Sequence, residues 1–373
     1  MYLIKDVDII TEDNILKGYD IKFTSKIIDI KKEIEKEDKF KIIDGKNHYL
    51  CPGFVDIHLH GSFGIDIMNA DKAAIKELSD RLVKTGTTSF LPTVMTSSLE
   101  NMESAIQNIK AAIKDNNRSI KGINLEGPFL NPDKAGAQDK RYMKEINLNI
   151  FEKYNNIIKI VTVAPEVKGA TALIKKLNEL DIISSLGHTN ASYKESIEGF
   201  ENGISLVTHL FNGMKGIHHR EIGAAGAALI EDISTELIVD GIHVSPPMLK
   251  LVFKTKDLDQ IILISDAQPA ALYDGEEIEF NNRKVIIKDG SARYEDGTLA
   301  GSVLSMLKAV KNMMNFSDFE LPEIIKMATL NPAKKIGLNS EIGLIDIDRK
   351  ADLLLLNRNL DIINVFKEGE KIK

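Results

Sequence analysis

Seven histidine and carboxylate side chains in this sequence follow short apolar runs of strand length. His58 and His60 close the run that begins at Phe54. The others each come directly after a run of their own, and they are Glu126, His188, His209, His243 and Asp266. Five of the eight histidines in the chain fall at this one kind of position, which favours a shared role for them.

The chemistry that these residue types support is metal binding together with proton transfer. Imidazole nitrogen and carboxylate oxygen are suitable ligands for zinc, iron and related divalent ions. Because side chains on a strand repeat every two residues, His58 and His60 point to the same face and can hold one ion together. Glu126 could ligate a single ion or bridge two. Asp266, placed near a bound water, could accept its proton and return it to a leaving group.

Each of these residues also has an ordinary structural interpretation. A single histidine at the end of a strand is more often a hydrogen-bonded structural residue than a ligand. Asp266 could be a helix N-cap, and Glu126 could be a turn residue before Gly127 and Pro128. The convergence of seven such residues on strand ends argues against the joint structural interpretation.

The segment from 52 to 340 alternates apolar strand-length runs with amphipathic helical stretches. Helices are predicted over 71–84, 99–114, 170–180 and 193–202. Repeated units of this kind predict a parallel sheet, and about eight of them predict a (β/α)8 TIM-type barrel with its active site at the carboxyl ends of the strands. A β-hairpin signature near 272–300 interrupts the alternation and predicts an insertion over the mouth of the barrel.

The two ends of the chain resemble each other and differ from the middle. Residues 1–51 and 341–373 contain short β-branched and leucine-rich runs separated by turns. They predict one small β-sandwich domain formed by both chain ends, beside a catalytic barrel domain over 52–340.

Composition excludes several classes of partner. The net charge of -7 and the sequence pI of about 5.7 give the chain no electrostatic reason to bind nucleic acid or an anionic membrane. The single cysteine, Cys51, permits no disulfide within the chain, and no run reaches the ~20 apolar residues of a membrane span. The first residues lack the pattern of a secretory signal, so a soluble cytoplasmic protein is expected.

Several motifs at these strand ends resemble one known family. The stretch 52–61 is similar to the opening signature of the amidohydrolase superfamily, and 343–356 to its closing segment. More specific stretches resemble the N-acetylglucosamine-6-phosphate deacetylase family within it: 125–131, 187–189, 208–214, 240–243, 265–267 and 299–302. The resemblance spans nearly the whole chain.

This resemblance implies hydrolysis of an acetyl amide to acetate and glucosamine 6-phosphate, in amino-sugar catabolism. It implies that Glu126, His188 and His209 hold the main metal ion, while His58 and His60 hold a second one. Asp266 is then the general base and afterwards the general acid. The ion is expected to be zinc, with iron or manganese as alternatives, and its number is one or two per subunit.

The resemblance also implies a set of substrate contacts. His243 and the backbone around Ala137 would contact the sugar, and Asn212 and Gly213 would lie near the phosphate. Arg220 would pair with the phosphate, reaching it from the neighbouring subunit of a homodimer, although spacing alone favours a solvated loop for His218, His219 and Arg220. The segment that would close over the acetyl end comprises Leu299, Ala300 and Gly301.

Two positions depart from the family pattern. Gln138 stands at a substrate-binding position where the family often has a histidine, and glutamine can donate a hydrogen bond but cannot carry a positive charge. Gln268 stands near a position where methionine is more usual, so the acyl pocket is expected to differ slightly.

Two other functions remain open from the sequence. One is a different amidohydrolase that acts on an N-acyl amino acid or a cyclic amide; many of those enzymes bridge two metals with a carboxylated lysine, whereas Glu126 occupies the matching position here. The other is a non-catalytic barrel that binds a metal or a phosphosugar, and Asp266 argues against it because a binder needs no proton acceptor.

Overall fold

Both chain ends contribute to one mostly antiparallel eight-stranded sheet in the computed structural model, which describes residues 1–143, 149–281 and 283–373. The antiparallel pairing of Leu353–Leu356 with Tyr49–Pro52 joins the two ends. The strands of this sheet are β1 (Tyr2–Ile10), β2 (Ile15–Phe23), β3 (Ile27–Lys31), β4 (Lys41–Asp44), β5 (Tyr49–Pro52), β19 (Leu353–Leu356), β20 (Ile362–Lys367) and β21 (Glu370–Lys371). The prediction that the two chain ends form one β domain is confirmed.

The core of this sheet comes from the apolar runs of its strands. Ile4, Val7 and Ile9 of β1 are fully buried and pack with Phe23 of β2 and Phe366 of β20. The side chains of Phe23 and Phe366 meet edge to face, with ring centroids 5.0 Å apart. Leu3 and Ile10 of β1 are fully buried as well, and because adjacent side chains on a strand point to opposite faces, both faces of this strand are covered.

A second eight-stranded sheet, parallel throughout, forms a nearly closed barrel. Its strands follow one another in chain order, as expected for repeated strand–helix units. A parallel bridge between Leu59 and Ala267 brings the first and last strands together. The barrel strands are β6 (Phe54–Leu59), β9 (Thr87–Met95), β10 (Ile123–Glu126), β11 (Ile158–Val163), β12 (Ile183–Leu186), β13 (Ile204–Val207), β14 (Ser234–Ile238) and β15 (Ile261–Ile264). The predicted TIM-type barrel is confirmed.

Short strands occur at two further places. β7 (Gly61–Ser62) and β8 (Ile65–Asp66) form a small ribbon after β6. The insertion expected near 272–300 is an antiparallel sheet of β16 (Glu277–Phe280), β17 (Arg283–Lys288) and β18 (Ser291–Tyr294), so it has one strand more than the predicted hairpin. Phe280 and Tyr294 of this sheet pack in one cluster with Met95 at the carboxyl end of β9.

Ten α-helices lie in the described residues, and some of them begin at a side-chain cap. At the helix that begins after Ser192, the serine hydroxyl accepts from the N–H of Glu195, whose carboxylate accepts from the N–H of Ser192. The helices are α1 (Lys72–Lys84), α2 (Leu99–Lys114), α3 (Asn149–Tyr154), α4 (Ala170–Glu179), α5 (Tyr193–Glu201), α6 (Gly223–Ile230), α7 (Pro246–Thr255), α8 (Met306–Phe316), α9 (Leu321–Ala328) and α10 (Leu330–Lys335). None of these ten is long and apolar enough to cross a membrane.

The chain groups into two compact units. The first contains Met1–Asp56, Asp80–Ser89 and Met306–Lys373, and the second contains Ile57–Ser79 and Phe90–Ser305. The second unit, called the barrel unit below, holds the seven residues that the sequence singled out. The first is called the terminal unit. The domain boundaries at residues 51 and 340 stay a prediction.

Candidate metal centre

The barrel brings six of the seven predicted residues together at the carboxyl ends of its strands. Parallel strands end at the same edge of a barrel, so side chains that are distant in sequence converge there. His58 lies in β6 with His60 just after it, and Glu126 is the last residue of β10. His188, His209 and Asp266 each lie two residues beyond the end of a strand, β12, β13 and β15.

The chain bends sharply at three of these residues. His188, His209 and Asp266 have φ values of 46°, 26° and 46°, which lie in the left-handed region that residues other than glycine rarely adopt. Such a conformation persists only where surrounding contacts hold it, and it concentrates at functional sites. All three side chains lie beside buried carboxylate or histidine partners, which supply those contacts.

Glu126 lies at the centre of the cluster and is almost completely buried. Its Oε1 is 2.9 Å from His188 Nε2 and 2.8 Å from His209 Nε2. Its Oε2 is 3.4 Å from His60 Nε2 and accepts a hydrogen bond from Gln138 Nε2. Oε1 also lies 3.6 Å from His58 Nε2, so three histidines surround one carboxylate oxygen and His60 lies nearest the other.

A second set of donor atoms surrounds His58. The Nε2 atoms of His58 and His60 are 3.3 Å apart, and Asp266 Oδ1 lies 3.6 Å from the first and 3.3 Å from the second. Two overlapping groups bring one donor atom per residue within 4.8 Å of one another: His58, His60 and Asp266, and His58, Glu126 and His209.

The charges in this cluster attract positive charge. Burial alone would lower the pKa of His58, but the surrounding carboxylates, Glu236 first, raise it to about 10. Burial alone would raise the pKa of the Glu126 carboxylate, but His188 and other histidines hold that pKa well below its usual range. The pKa of Asp266 is also lowered by nearby histidines, against the effect of burial. Carboxylates outweigh permanent cations here, which is the electrostatic setting of a metal site.

Two of the histidine rings, His58 and His188, are held in an orientation that suits binding of a divalent metal ion through Nε2. Nδ1 of His58 lies 2.9 Å from a carboxylate oxygen of Glu236, and Nδ1 of His188 lies 2.8 Å from the backbone oxygen of Lys134. When Nδ1 donates its proton to such a partner, the lone pair is left on Nε2, and an outer hydrogen bond of this kind accompanies most ligating histidines. The Nε2 atoms are those that converge, so the donor set suits a divalent ion.

A cavity of about 410 Å³ opens beside the cluster. The cluster residues in its lining are His60, Glu126, His188, His209 and Asp266. The predicted substrate-binding residues in its lining are Ala137, Gln138, Asn212, Gly213, His243, Leu299 and Gly301.

Three predicted residues lie outside this lining. His58 is completely buried behind His60, and Ala300 is buried between two lining residues. Arg220 is exposed, and its guanidinium contacts the ring of His219 at 2.8 Å. Within a single chain, therefore, the structure does not bring Arg220 to the cavity.

His243 reaches the cavity with its ring held from behind. Asp240 Oδ2 lies 2.6 Å from His243 Nδ1, and Asp240 Oδ1 accepts from the N–H of His243 at 2.8 Å. Burial would raise the pKa of Asp240, but these contacts lower it. The ring therefore presents Nε2 to the cavity in a fixed direction.

Gln138 is oriented by two contacts. Its Oε1 accepts from the N–H of Thr96 at 2.9 Å, so its Nε2 must face Glu126, to which it donates. The side chain that departs from the family's histidine is thus a neutral donor to the central carboxylate.

The sequence interpretation missed two charged residues of this region. Glu236 is completely buried in β14 and contacts His58, and Arg293 of β18 lines the cavity. A charged residue inside the apolar strand Ser234–Ile238 was a signal that could have identified Glu236. No comparable signal marked Arg293, since β18 was not predicted.

The barrel, its metal-binding cluster at the strand ends and the cavity beside it define a class of metal-dependent hydrolase. The model described as the amidohydrolase family matches residues 49–372, and the chain belongs to that family. The other amidohydrolase activities considered from the sequence, on N-acyl amino acids or cyclic amides, are not favoured by the relatives described next.

The relatives are sugar-phosphate deacetylases. The N-acetylglucosamine-6-phosphate deacetylase of Bacillus subtilis (strain 168) is 38% identical over 98% of this chain and 96% of its own. An N-acetylgalactosamine-6-phosphate deacetylase of Escherichia coli O157:H7 is 30% identical over 86% and 87%. The crystal structure of N-acetylglucosamine-6-phosphate deacetylase from Pasteurella multocida matches with a TM-score of 0.95 and 30% identity, covering 99% of both chains. The resemblance inferred from the motifs is confirmed.

Proposed function

We propose that this protein hydrolyses the acetamide of N-acetyl-D-glucosamine 6-phosphate to D-glucosamine 6-phosphate and acetate, in amino-sugar catabolism. The observation that carries the proposal is the position of Asp266. Its carboxylate lies 3.3 Å from His60 Nε2, at the wall of the cavity and within the cluster of metal-binding atoms. The names of the relatives supply the substrate.

Asp266 is proposed to handle the proton of the reaction. Its lowered pKa keeps it ionised near neutral pH, so it can accept a proton from the attacking water. The same group can then deliver that proton to the departing amine nitrogen. A divalent ion bound by the cluster would polarise the acetyl carbonyl and stabilise the negative charge that develops on its oxygen.

The ligands are assigned to two positions. Glu126, His188 and His209 would hold the main ion, because Oε1 of Glu126 faces both histidines at under 3 Å. His58 and His60 would hold a second ion beside the same glutamate, whose two oxygens lie 3.6 Å and 3.4 Å from their Nε2 atoms. Zinc is the proposed metal, since histidine and carboxylate are ligands that it commonly has.

The rest of the cavity is assigned to the substrate. His243 and the backbone of Ala137 would contact the sugar, with Gln138 beside the acetyl carbonyl. The segment from Leu299 through Ala300 to Gly301 would close over the acetyl group. The lining of the cavity by Leu299 and Gly301 supports this placement.

The phosphate is proposed to lie near Asn212 and Gly213 and to pair with Arg220 of a second subunit. Arg220 is exposed and its guanidinium has no carboxylate ion pair among the described residues, so it is available to another chain. A planar guanidinium matches two phosphate oxygens at once. A homodimer follows from this assignment. A cytoplasmic location is proposed because the substrate carries a phosphate and the chain has a single, buried cysteine.

Acetate release tests the proposal. The purified protein is given N-acetylglucosamine 6-phosphate, unphosphorylated N-acetylglucosamine and N-acetylgalactosamine 6-phosphate, before and after chelation and with zinc restored. We expect fast, chelator-sensitive release from the first substrate, and little from the unphosphorylated sugar. Preference for N-acetylgalactosamine 6-phosphate would show that this epimer is the substrate. Release of acetate from none of the three would refute the proposal.

Arg220→Ala separates the phosphate contact from the chemistry. We expect KM for the phosphosugar to rise while kcat changes little, because the guanidinium would bind a group remote from the amide. Arg293→Ala is the matched control, since Arg293 lines the cavity of its own chain. A larger rise in KM for Arg293→Ala than for Arg220→Ala would show that the phosphate binds beside the insertion sheet instead.

A further inference from the structure

Glu236 is a buried carboxylate beside the cluster that the proposed reaction does not use. It lies in the middle of β14, and its side chain has no solvent exposure. One oxygen, Oε2, lies 2.9 Å from His58 Nδ1 and accepts from the backbone N–H of His209 at 3.2 Å. The other, Oε1, has no hydrogen-bond partner among the described residues.

Glu236 contacts one ligand of each proposed metal position, but in different ways. It contacts the side chain of His58, a ligand of the second position, through the nitrogen that does not face the cluster. It contacts only the backbone of His209, a ligand of the main position. A carboxylate behind a histidine ring fixes which nitrogen carries the proton and makes the other a stronger ligand. This effect applies to His58.

The charges of the cluster also connect Glu236 with the second metal position. The cluster contains three buried carboxylates, those of Glu126, Glu236 and Asp266, and within the described residues no lysine or arginine forms an ion pair with them. A buried uncompensated charge is costly. Two divalent ions exceed the three negative charges by one, which an anion in the cavity can balance. Without Glu236, two ions would exceed the negative charges by two.

We infer that Glu236 is a positioning residue that makes the second metal position bind: it holds His58 with Nε2 towards the cluster and supplies the negative charge that a second divalent ion requires. The inference rests on the proposed metal centre. It assigns a function to a residue that contacts neither the substrate cavity nor an ion directly.

Zinc binding by the metal-free full-length protein tests this inference without any substrate. Zinc is titrated calorimetrically and against a competing chelator, and bound metal is counted after dialysis. Wild-type protein is expected to bind two zinc ions per subunit. Glu236→Gln keeps the size and an acceptor oxygen but removes the charge. We expect it to bind the first ion as wild type does, and the second about 10–100-fold more weakly.

The conservative variant and a matched control exclude a merely structural role. Glu236→Asp retains the charge and is expected to recover most of the second-ion affinity that Glu236→Gln loses. Asp352→Asn makes the same chemical change at another buried carboxylate, one that pairs with Lys367 in the terminal unit. That control is expected to lower the melting temperature and to leave both zinc affinities unchanged.

A double-variant cycle identifies His58 as the residue through which Glu236 acts. In a His58→Asn background, Glu236→Gln is expected to cause a smaller loss of second-ion affinity than in wild type, because the ring it positions is already gone and only its charge is removed. If Glu236→Gln does not fold, wild-type protein labelled with ¹⁵N-histidine and loaded with zinc gives the same information. His58 must then carry its proton on Nδ1, and its Nε2 resonance must shift with the second equivalent of zinc.

The outcomes separate this inference from the proposed reaction. Equal second-ion affinity in wild type and Glu236→Gln, loss of both ions together, one-ion binding by wild type, or a His58 proton on Nε2 would each overturn it. A protein that follows the expected zinc pattern but releases no acetate would leave the inference standing and refute the proposed function.

Discussion

The two compact units of this chain both bury carboxylates, but they compensate the negative charge in different ways. In the terminal unit, Asp352 Oδ2 lies 2.7 Å from the ammonium of Lys367, and Asp20 Oδ2 lies 2.5 Å from that of Lys5. In the barrel unit, the partners of Glu126 are histidines and Gln138. A lysine brings a permanent cation, whereas a neutral histidine offers a lone pair.

This difference separates structure from function at buried acidic groups. A carboxylate with its own lysine is neutralised within the fold and needs nothing from solution. A group of carboxylates whose partners are histidines is complete only when a cation arrives. The terminal unit should therefore depend on its own residues for stability, and the barrel cluster should depend on the metal supply.

The largest expected effect is on catalysis, at a carboxylate of the barrel cluster. Asp266→Asn removes the proposed proton acceptor but leaves a side chain of the same size, so kcat should fall by about 10²- to 10⁴-fold. Metal content should be nearly unchanged, because all five proposed ligands remain. Steady-state acetate release and metal analysis measure both. Asp133→Asn, at an exposed carboxylate, is the control; retained activity in Asp266→Asn would refute the assignment.

The next effect is on stability, in the terminal unit. Asp352→Asn leaves the buried ammonium of Lys367 without its counter-charge, which should lower the free energy of unfolding by about 3–5 kcal/mol. Metal content and kcat of the folded fraction should not change. Urea denaturation followed by circular dichroism measures the loss. A loss of bound metal would show that the two units do not compensate their charges independently.

Metal removal should lower the stability of the folded protein through the barrel cluster. Zinc that binds only the folded protein should stabilise it by about 2.7 kcal/mol when free zinc is a hundredfold above its dissociation constant. Melting curves at increasing zinc, after chelation, measure this shift. Asp352→Asn protein should show the same zinc-dependent increment as wild type, because its altered residue is not in the cluster. A missing increment in wild type would contradict a metal site.

The smallest effect is a pH dependence in the terminal unit. Burial would raise the pKa of Asp20, but Lys5 and the backbone N–H groups of Asp6 and Ile34 lower it below its ordinary value of 3.8. A lowered folded pKa contributes stability above pH 4 that is lost as the pH falls through the folded value.

Asp20→Asn measures that contribution. Near neutral pH it should cost about 1.5 kcal/mol, because asparagine keeps an acceptor for the N–H groups but loses the charge. The difference from wild type should be constant between pH 7 and 5 and should shrink below pH 4. Melting temperatures across that range measure it, and a difference that grows on acidification would contradict the pairing with Lys5.

Much of the fold was predictable because its signals are local. The helices α2 and α5 begin at serine caps and follow apolar periodicity, so their predicted ranges lie within one residue of the observed ones. Helix α6, Gly223–Ile230, was not predicted, since it is apolar on all sides and carries no amphipathic pattern. The third strand of the insertion, β18, has only four residues and was also missed.

The sequence by itself determined which side chains stand at strand ends, since apolar runs and the residues that close them are adjacent in the chain. From that placement the barrel, the histidine and carboxylate cluster and its family follow. Only the tertiary structure decided which of these side chains meet and in what charge environment. Glu236 and His58 are 178 residues apart in the sequence, and their contact depends on how the strands of one barrel come together. No local sequence pattern encodes a contact over such a separation.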